Sequence, residues 1–563
     1  MRRLGRKPKI LGAAVGDCVH VAGVVNFLHL AEAQGYETFC LGPAVPVDDL
    51  LGAALEDDPD IIAVGYRLTP ETGARVLAEL KEKAERMGLA HKRFIFGGVG
   101  AVCDHARRLG LFEAVFDADT TVDEIIAYLR GGPARQDETD YPQTLVERIE
   151  FKHPYPILRH HFGLPSVEAT IRGVEQIAEA RCLDVISLGT DQNAQEHFFR
   201  PEEMDPDEHG AGGVPVRTPD DLRAIYQASR RGNYPLMRCY SGTRDTLKWA
   251  EMLRDTINNA WCAVPLFWYS QLDGRSQRPL HESIAEAQEL MRWHARHGIP
   301  VEMNESHHWS LRDAPDTVAV AAAFLAAYNA YRCGVRTYVQ QLMFNNPPGT
   351  SFKMDLAKML AKLELVGELE GDDFRVLRET RTGLSSYPAD LDRAKGQIAS
   401  SVTIQMALKP HIVHVVAYTE ASHAATAEDV IASCRIAEQA IRNAVYGLPD
   451  MLRDPDIQDR KNRLVREARQ LLDAIRSLAP AGVADPWTDP ATLKLAVEIG
   501  LMDAPHLMGN KAARGKVRTR MVDGACVAVD PATGRPLSEE ERIARVFAEY
   551  EREMSQAAPA TPA

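Results

Sequence analysis

Short apolar runs separated by amphipathic helical stretches recur along the whole chain. In the first 130 residues the runs KILGAAV (from Lys9), ETFCLG (37–42), DIIAVGYRL (60–68), RFIFGG (93–98) and AVFDAD (114–119) alternate with segments such as 23–33 and 48–55. This alternation predicts an α/β fold, a flavodoxin-like doubly wound parallel sheet of about five strands. From about residue 146 it resumes, with strands predicted at 183–190, 235–242, 263–270, 300–306, 337–344, 374–383 and 412–420. In the helices between them, such as HESIAEAQELMRWHARHG and VAVAAAFLAAYNAYRCG, apolar residues recur at intervals of three and four, the period of a helix laid on a sheet. Seven strands and one unseen close a (β/α)8 TIM-like barrel, with an open Rossmann-like sheet as the alternative. HPYPILRHHFG (153–163) reads as a packed connector, and KNRLVREARQLLDAIRSL as a charged structural helix.

The expected organisation is a first domain over 1–132, a Gly/Pro-rich charged linker over 133–145, and the barrel over 146–480. A C-terminal segment packed on the barrel follows at 481–555, then a disordered Ala/Pro-rich tail at 556–563.

Composition narrows the class. The 563 residues are 45% hydrophobic and 26% charged, a soluble globular balance, with a formal net charge of −14 that opposes binding to a phosphate backbone. No nucleic-acid or membrane partner is expected, because no run approaches the ~18 consecutive apolar residues of a spanning helix. Nine scattered cysteines without a CxxC pair fit a reducing cytoplasm. The barrel strands offer no GxGxxG, no P-loop and no zinc spacing.

Candidate chemistry begins at the first strand, which runs into the loop GDCVHVAG holding Asp17, Cys18, His20 and Gly23. An imidazole at the carboxyl edge of a parallel sheet sits where ligands bind, and can take a metal. A receiver-type domain would instead show clustered acidic residues after the first strand and a Lys after the last, and neither is present. This loop, LGPAVPVDDLLGAA and FIFGGVG together resemble the cobalamin-binding domain of adenosylcobalamin-dependent mutases, in particular the small subunit of glutamate mutase (methylaspartate mutase). The resemblance implies adenosylcobalamin as cofactor, with His20 as lower axial ligand of cobalt. It also implies cofactor contacts at Asp17, Gly23, Leu68, Gly97, Gly98 and Thr120. In the family an Asp one residue closer supports that His; here Val19 lengthens the spacing to Asp-x-x-His.

The far C-terminus is similar to the closing segment of the same enzyme's large barrel subunit. Met502, Asp503 and Pro505 match it, as do Gly-x-Cys-Val at 524–527 and Gly-x-Pro-x-x-Glu-Glu at 534–540. The chain is thus identified as the two subunits joined, small one first. The implied function is an adenosylcobalamin-dependent carbon-skeleton mutase, an isomerase that rearranges a small carboxylic acid by radical chemistry, with a homodimer as candidate assembly. The alternatives are a cobalamin-dependent methyltransferase and a non-catalytic corrinoid-binding protein.

Barrel sites lie at the carboxyl ends of strands. Those ends offer Asp191, Gln192, Arg238, Arg244, Tyr269, Asn304, Glu305, His307, Gln341, Asn345, Arg378, Glu379, Arg381, Glu420 and His423. The chosen catalytic candidates are Arg238, Glu305, Gln341, Arg378 and Glu420. Arg238 stands in LMRCYSGTRD, which resembles the Arg-x-Gly-Thr segment whose Arg binds a substrate carboxylate in the family. The other two arginines of the family's claw have no counterpart near Pro165 or near Gln195, and the third predicted strand carries no carboxylate for the amine. The acid is therefore expected not to be glutamate itself. Adjacent His307 and His308, read as strand residues, should face opposite ways.

Overall fold

The computed structural model describes residues 7–129, 138 and 141–557. It divides into two compact units, 1–136 and 137–563. Most of the linker expected over 133–145, and the tail beyond Ala557, lie outside the described residues; 556 and 557 belong to the closing helix Glu539–Ala557.

The first unit holds one parallel sheet. Its strands are β1 (Lys9–Val15), β2 (Glu37–Val45), β3 (Ile61–Tyr66), β4 (Arg93–Gly98) and β5 (Phe112–Phe116), in the order β2-β1-β3-β4-β5. That is the flavodoxin-like order predicted, with its switch point beside β1. The middle strands are buried on both faces and so read as continuous apolar runs. Gly12 and Gly65 let the helix Ala22–Ala33 approach closely: a Cβ on Gly65 would stand 2.5 Å from Val24 Cγ2.

The second unit is an eight-stranded parallel barrel. Its strands are β6 (Ile157–Phe162), β7 (Val185–Leu188), β8 (Leu236–Arg238), β9 (Cys262–Ala263), β10 (Val301–Met303), β11 (Thr337–Phe344), β12 (Arg375–Thr382) and β13 (Ile412–His414). The unseen strand is β6, the segment read from sequence as a connector. Its inner face carries Arg159 and His161, so it lacks the apolar run that marks its neighbours. His307 and His308 also depart from expectation, because they lie on the short helix Glu305–Ser310 instead of a strand.

Ladder pairing leaves one seam, between β8 and β9. It is bridged by Ala260 N–H to Met237 O (2.9 Å), Ser241 N–H to Ala263 O (3.2 Å) and Cys239 N–H to the Asn259 side-chain oxygen (2.9 Å). Inside, single apolar residues of six strands, Ile157, Val185, Leu236, Val339, Leu377 and Ile412, pack with Leu145 and Ile149 of the helix Leu145–Lys152. This layer plugs the amino end, so the opposite end alone keeps polar interior positions.

The C-terminal segment explains why the helix Asp316–Arg332 is apolar on nearly every side. The helix Pro455–Ser477 covers it, and an antiparallel hairpin, β14 (Thr519–Val522) with β15 (Ala525–Ala528), is fastened by Cys526 N–H to Asp316 Oδ2 at 3.1 Å. Among the described residues no helix is long and apolar enough to cross a membrane.

The seam makes a test. Asn259 is buried, and Asn259→Ala strands the Cys239 N–H away from water. Such a loss costs about 1–3 kcal/mol. Calorimetry should show the barrel transition moved down by a few degrees, while an unchanged midpoint would mean the seam does not limit stability.

Candidate functional site

Period-two alternation along the barrel strands decides which side chains reach the interior. With Ile157, Val339, Leu377 and Ile412 inward, so are Arg159, Gln341, Glu379 and His414 two residues on. These meet Arg238 and Glu302 in a water-poor layer above the apolar plug. Arg159 Nη1 donates to Glu302 Oε2 at 2.6 Å and to both oxygens of Glu379 at 3.0 and 2.9 Å. The Trp261 indole donates to Glu302 Oε2 at 2.7 Å. Gln341 Nε2 spans the two carboxylates, 2.9 Å from Glu302 Oε1 and 3.1 Å from Glu379 Oε1.

Electrostatics separate the two acids. Burial and the neighbouring Glu302 charge push Glu379 up to about 7 against the pull of Arg159. Burial also raises Glu302, but Arg159 and Arg238 outweigh it and hold that group below the usual carboxylate value.

Arg238 is only 1% exposed. Its Nη1 lies 3.0 Å from Glu302 Oε2, yet at an angle that makes no hydrogen bond, and all three guanidinium nitrogens lack a hydrogen-bond partner. The group rests on Trp261, 5.0 Å from the ring centre. Above it opens a cavity of 250 Å³ lined also by Arg381, Asn304, His307, His308 and Tyr269. The two imidazoles stack at 4.4 Å, and burial holds both well below their ordinary pKa, hence neutral. His307 Nδ1, His308 Nε2, Asn304 Oδ1 and Gln341 Oε1 are all buried atoms without a hydrogen-bond partner.

Of the catalytic candidates, then, Arg238 and Gln341 lie on this cavity. Glu305 does not. It is fully buried behind the wall, where Oε2 accepts the Leu266 and Phe267 backbone N–H groups at 2.8 and 3.3 Å and Oε1 accepts the Trp309 indole at 3.1 Å. It clamps the loop after β9. Arg378 is excluded by parity: next to inward Leu377 and Glu379 it points out, and its Nε donates to Lys409 O at 3.1 Å. Glu420 occupies the exposed rim beyond β13, in a recess with His423 and Gly163 that shares His161 with the cavity, and its charge acts on Arg381. Arg159 and Glu302 escaped the choice of strand ends because they sit deeper, and Glu379, though among those ends, was not taken as a catalytic candidate; a charge between apolar residues, as in VEM, is the signal that marks Glu302.

A second set of polar groups lies at the carboxyl edge of the first sheet. His20 is exposed in the loop after β1, and no hydrogen bond involves its ring among the described residues. Asp17 does not turn toward it; Asp17 Oδ1 accepts the Tyr66 hydroxyl at 3.0 Å. Ala14, Gly65 and Gly97 are lateral partners across β1, β3 and β4. A Cβ on Gly97 or Gly23 would meet nothing within 4 Å, whereas one on Gly98 would strike Phe96 and Tyr66 O at 2.6 and 2.8 Å. Leu68 lies half-buried in the loop after β3, and Thr120 Oγ1 is tied to Asp117 Oδ1 at 3.0 Å after β5. Among the described residues no three His, Cys, Asp or Glu converge as ligands for a bare metal ion.

Comparison with known proteins adds the following. None of the curated proteins matches the chain. A cobalamin-binding protein from Desulfitobacterium hafniense DCB-2 is similar at 27% identity over 22% of this chain and 59% of its own, with a TM-score of 0.20. The match thus spans less than two thirds of that protein. A Rubisco-like protein from Rhodopseudomonas palustris is similar at 10% identity over 54% of this chain and 69% of its own, with a TM-score of 0.30. The cobalamin-dependent S-adenosylmethionine radical enzyme OxsB is similar at 12% identity over 86% of this chain and 64% of its own, with a TM-score of 0.17. The family described as methylaspartate mutase E chain (MutE) matches residues 243–548, from the seam side of the barrel into the closing helix. With more than half of its length matched, the chain belongs to the methylaspartate mutase E chain family.

Proposed function

We propose that the protein is an adenosylcobalamin-dependent carbon-skeleton mutase acting on a small carboxylic acid, with a cofactor-binding unit and a catalytic barrel in one chain. The observation that carries this reading is Arg238: a guanidinium closed off from water, in a member of this family, with every N–H unused. A planar fork of that kind matches a carboxylate bidentately. An inert barrel in a simple corrinoid carrier would have no use for it.

The first unit fits the cofactor. His20 offers an imidazole free of protein partners to cobalt, and the open positions at Gly97 and Gly23 leave room beside the sheet. Asp17, held by Tyr66, supports the loop instead of the imidazole. When bound, adenosylcobalamin supplies the radical chemistry. The barrel residues position and shield: Arg238 holds the carboxylate, Gln341 and Glu302 keep the layer beneath it rigid, and His307, His308 and Trp268 wall out water.

Two measurements test this. Protein loaded with the cobalt(II) form of cobalamin and labelled with 15N-histidine should show one nitrogen coupling in paramagnetic resonance, lost in His20→Ala together with at least tenfold in cobalamin affinity. An unchanged spectrum and affinity would remove His20 from the cobalt. Conversion of glutamate to 3-methylaspartate should run far below the roughly 10 s⁻¹ of an average enzyme, because the cavity has no carboxylate to spare for an ammonium. Turnover at ordinary rates would establish glutamate as the substrate after all.

A further inference from the structure

The cavity's own hydrogen-bonding inventory narrows the acid. Its lining carries the guanidiniums of Arg159, Arg238, Arg275 and Arg381 and one carboxylate, Glu302. Glu379 lies beneath, against Arg159, and Asp273 stands 3.7 Å from Arg275. Glu420 on the rim acts on Arg381, so Arg159, Arg275 and Arg381 each have a carboxylate opposite, while Arg238 keeps every N–H free for a ligand. Neither buried acid is available to a cation: Glu302 already receives Arg159, Trp261 and Gln341, and Glu379 receives Arg159 and Gln341. An ammonium entering here would meet four guanidiniums and no free anion.

Beyond the guanidinium nitrogens left without a hydrogen bond, all three of Arg238 and the Nε of Arg159 and Arg381, the atoms left over are neutral. Asn304 Oδ1 and Gln341 Oε1 can only accept, and His307 Nδ1 and His308 Nε2 belong to uncharged rings that donate or accept according to tautomer. A hydroxyl satisfies both kinds at once, since it donates one proton and accepts through two lone pairs. A methyl group would leave the acceptors unmet, and a site built for a hydroxyl rejects the analogue lacking it strongly.

We infer that the substrate is a small hydroxy acid, one carboxylate on Arg238 and one hydroxyl among Asn304, Gln341 and the His307–His308 pair, with no ammonium group. This rests on the reading of the cavity as the substrate site of a mutase, and it names the class of acid that reading leaves open.

The test is calorimetric titration of the full-length protein, without cofactor, with butanoates carrying a hydroxyl, an ammonium or a methyl group at carbon 2, 3 or 4, and with glutamate. At least one hydroxybutanoate should bind ten times or more tighter than its amino and methyl counterparts and than glutamate. Arg238→Met should remove that binding. Asn304→Asp, which places an anion in the cavity without removing the guanidinium, should reverse the preference toward the amino acid of the same position. Tighter binding of glutamate or of an aminobutanoate by the unaltered protein, or no binding by any hydroxybutanoate, overturns the inference. Failure of cobalamin to bind the same preparation would instead count against the mutase reading, because the titrations do not involve it.

Discussion

The network of Arg159, Glu302 and Glu379 inside the barrel is the interaction on which the rest of the second unit depends. Taking such groups out of water is costly unless each finds a partner, and removal of one member from a buried set of this kind typically costs about 3–5 kcal/mol. The barrel meets that condition by geometry. One guanidinium nitrogen serves both acids, and Gln341 and Trp261 fill most of what remains. A plug of aliphatic side chains seals the amino end beneath them. The consequence for function is that both acids are used up in building the floor. What faces the cavity is Arg238 with its N–H groups unused, the guanidiniums of Arg275 and Arg381, and a ring of neutral groups.

The same economy of partners shapes the surroundings. Glu305 could be taken for a catalytic acid, yet it is consumed by two backbone N–H groups and the Trp309 indole. It holds the loop that carries Trp268 and Tyr269 against the cavity. Asp503 does the same near the C-terminus, accepting N–H groups from Ala504, Gly515, Lys516 and Val517. That bond set holds this otherwise irregular segment in shape, with Leu501, Met502, Ala504 and Leu507 packed among the barrel's outer helices.

Much of the architecture was legible in the sequence, for a physical reason. Strands buried on both faces, such as β1 and β3, leave short apolar runs bounded by turn residues, too brief for a buried helix. Strand β6 was not legible because its inner face carries Arg159 and His161. The parity of β12 was hidden because Val376 and Leu377 are both apolar, so nothing in FRVLRETRTG tells Arg378, which points out, from Arg381, which reaches the cavity. His307 and His308 seemed to continue a strand, but β10 ends at Met303 and the chain turns into a helical turn that presents both rings to one side. Arg238 drew notice through the likeness of LMRCYSGTRD to the family's Arg-x-Gly-Thr segment, and Gln341 as a polar residue near a strand end; both line the cavity. Arg159 and Glu302 needed knowledge of which residues share the barrel's interior.

The central claim is that this cavity binds an acid so that radical chemistry can begin on it. The most direct test is electron paramagnetic resonance of the full-length protein loaded with adenosylcobalamin and frozen within milliseconds of mixing with the acid that binds best. A paramagnetic signal that requires the acid, and that shifts its hyperfine pattern when the acid is deuterated, is the predicted result. A protein that binds both cofactor and acid and stays diamagnetic with every acid that fills the cavity would contradict the account.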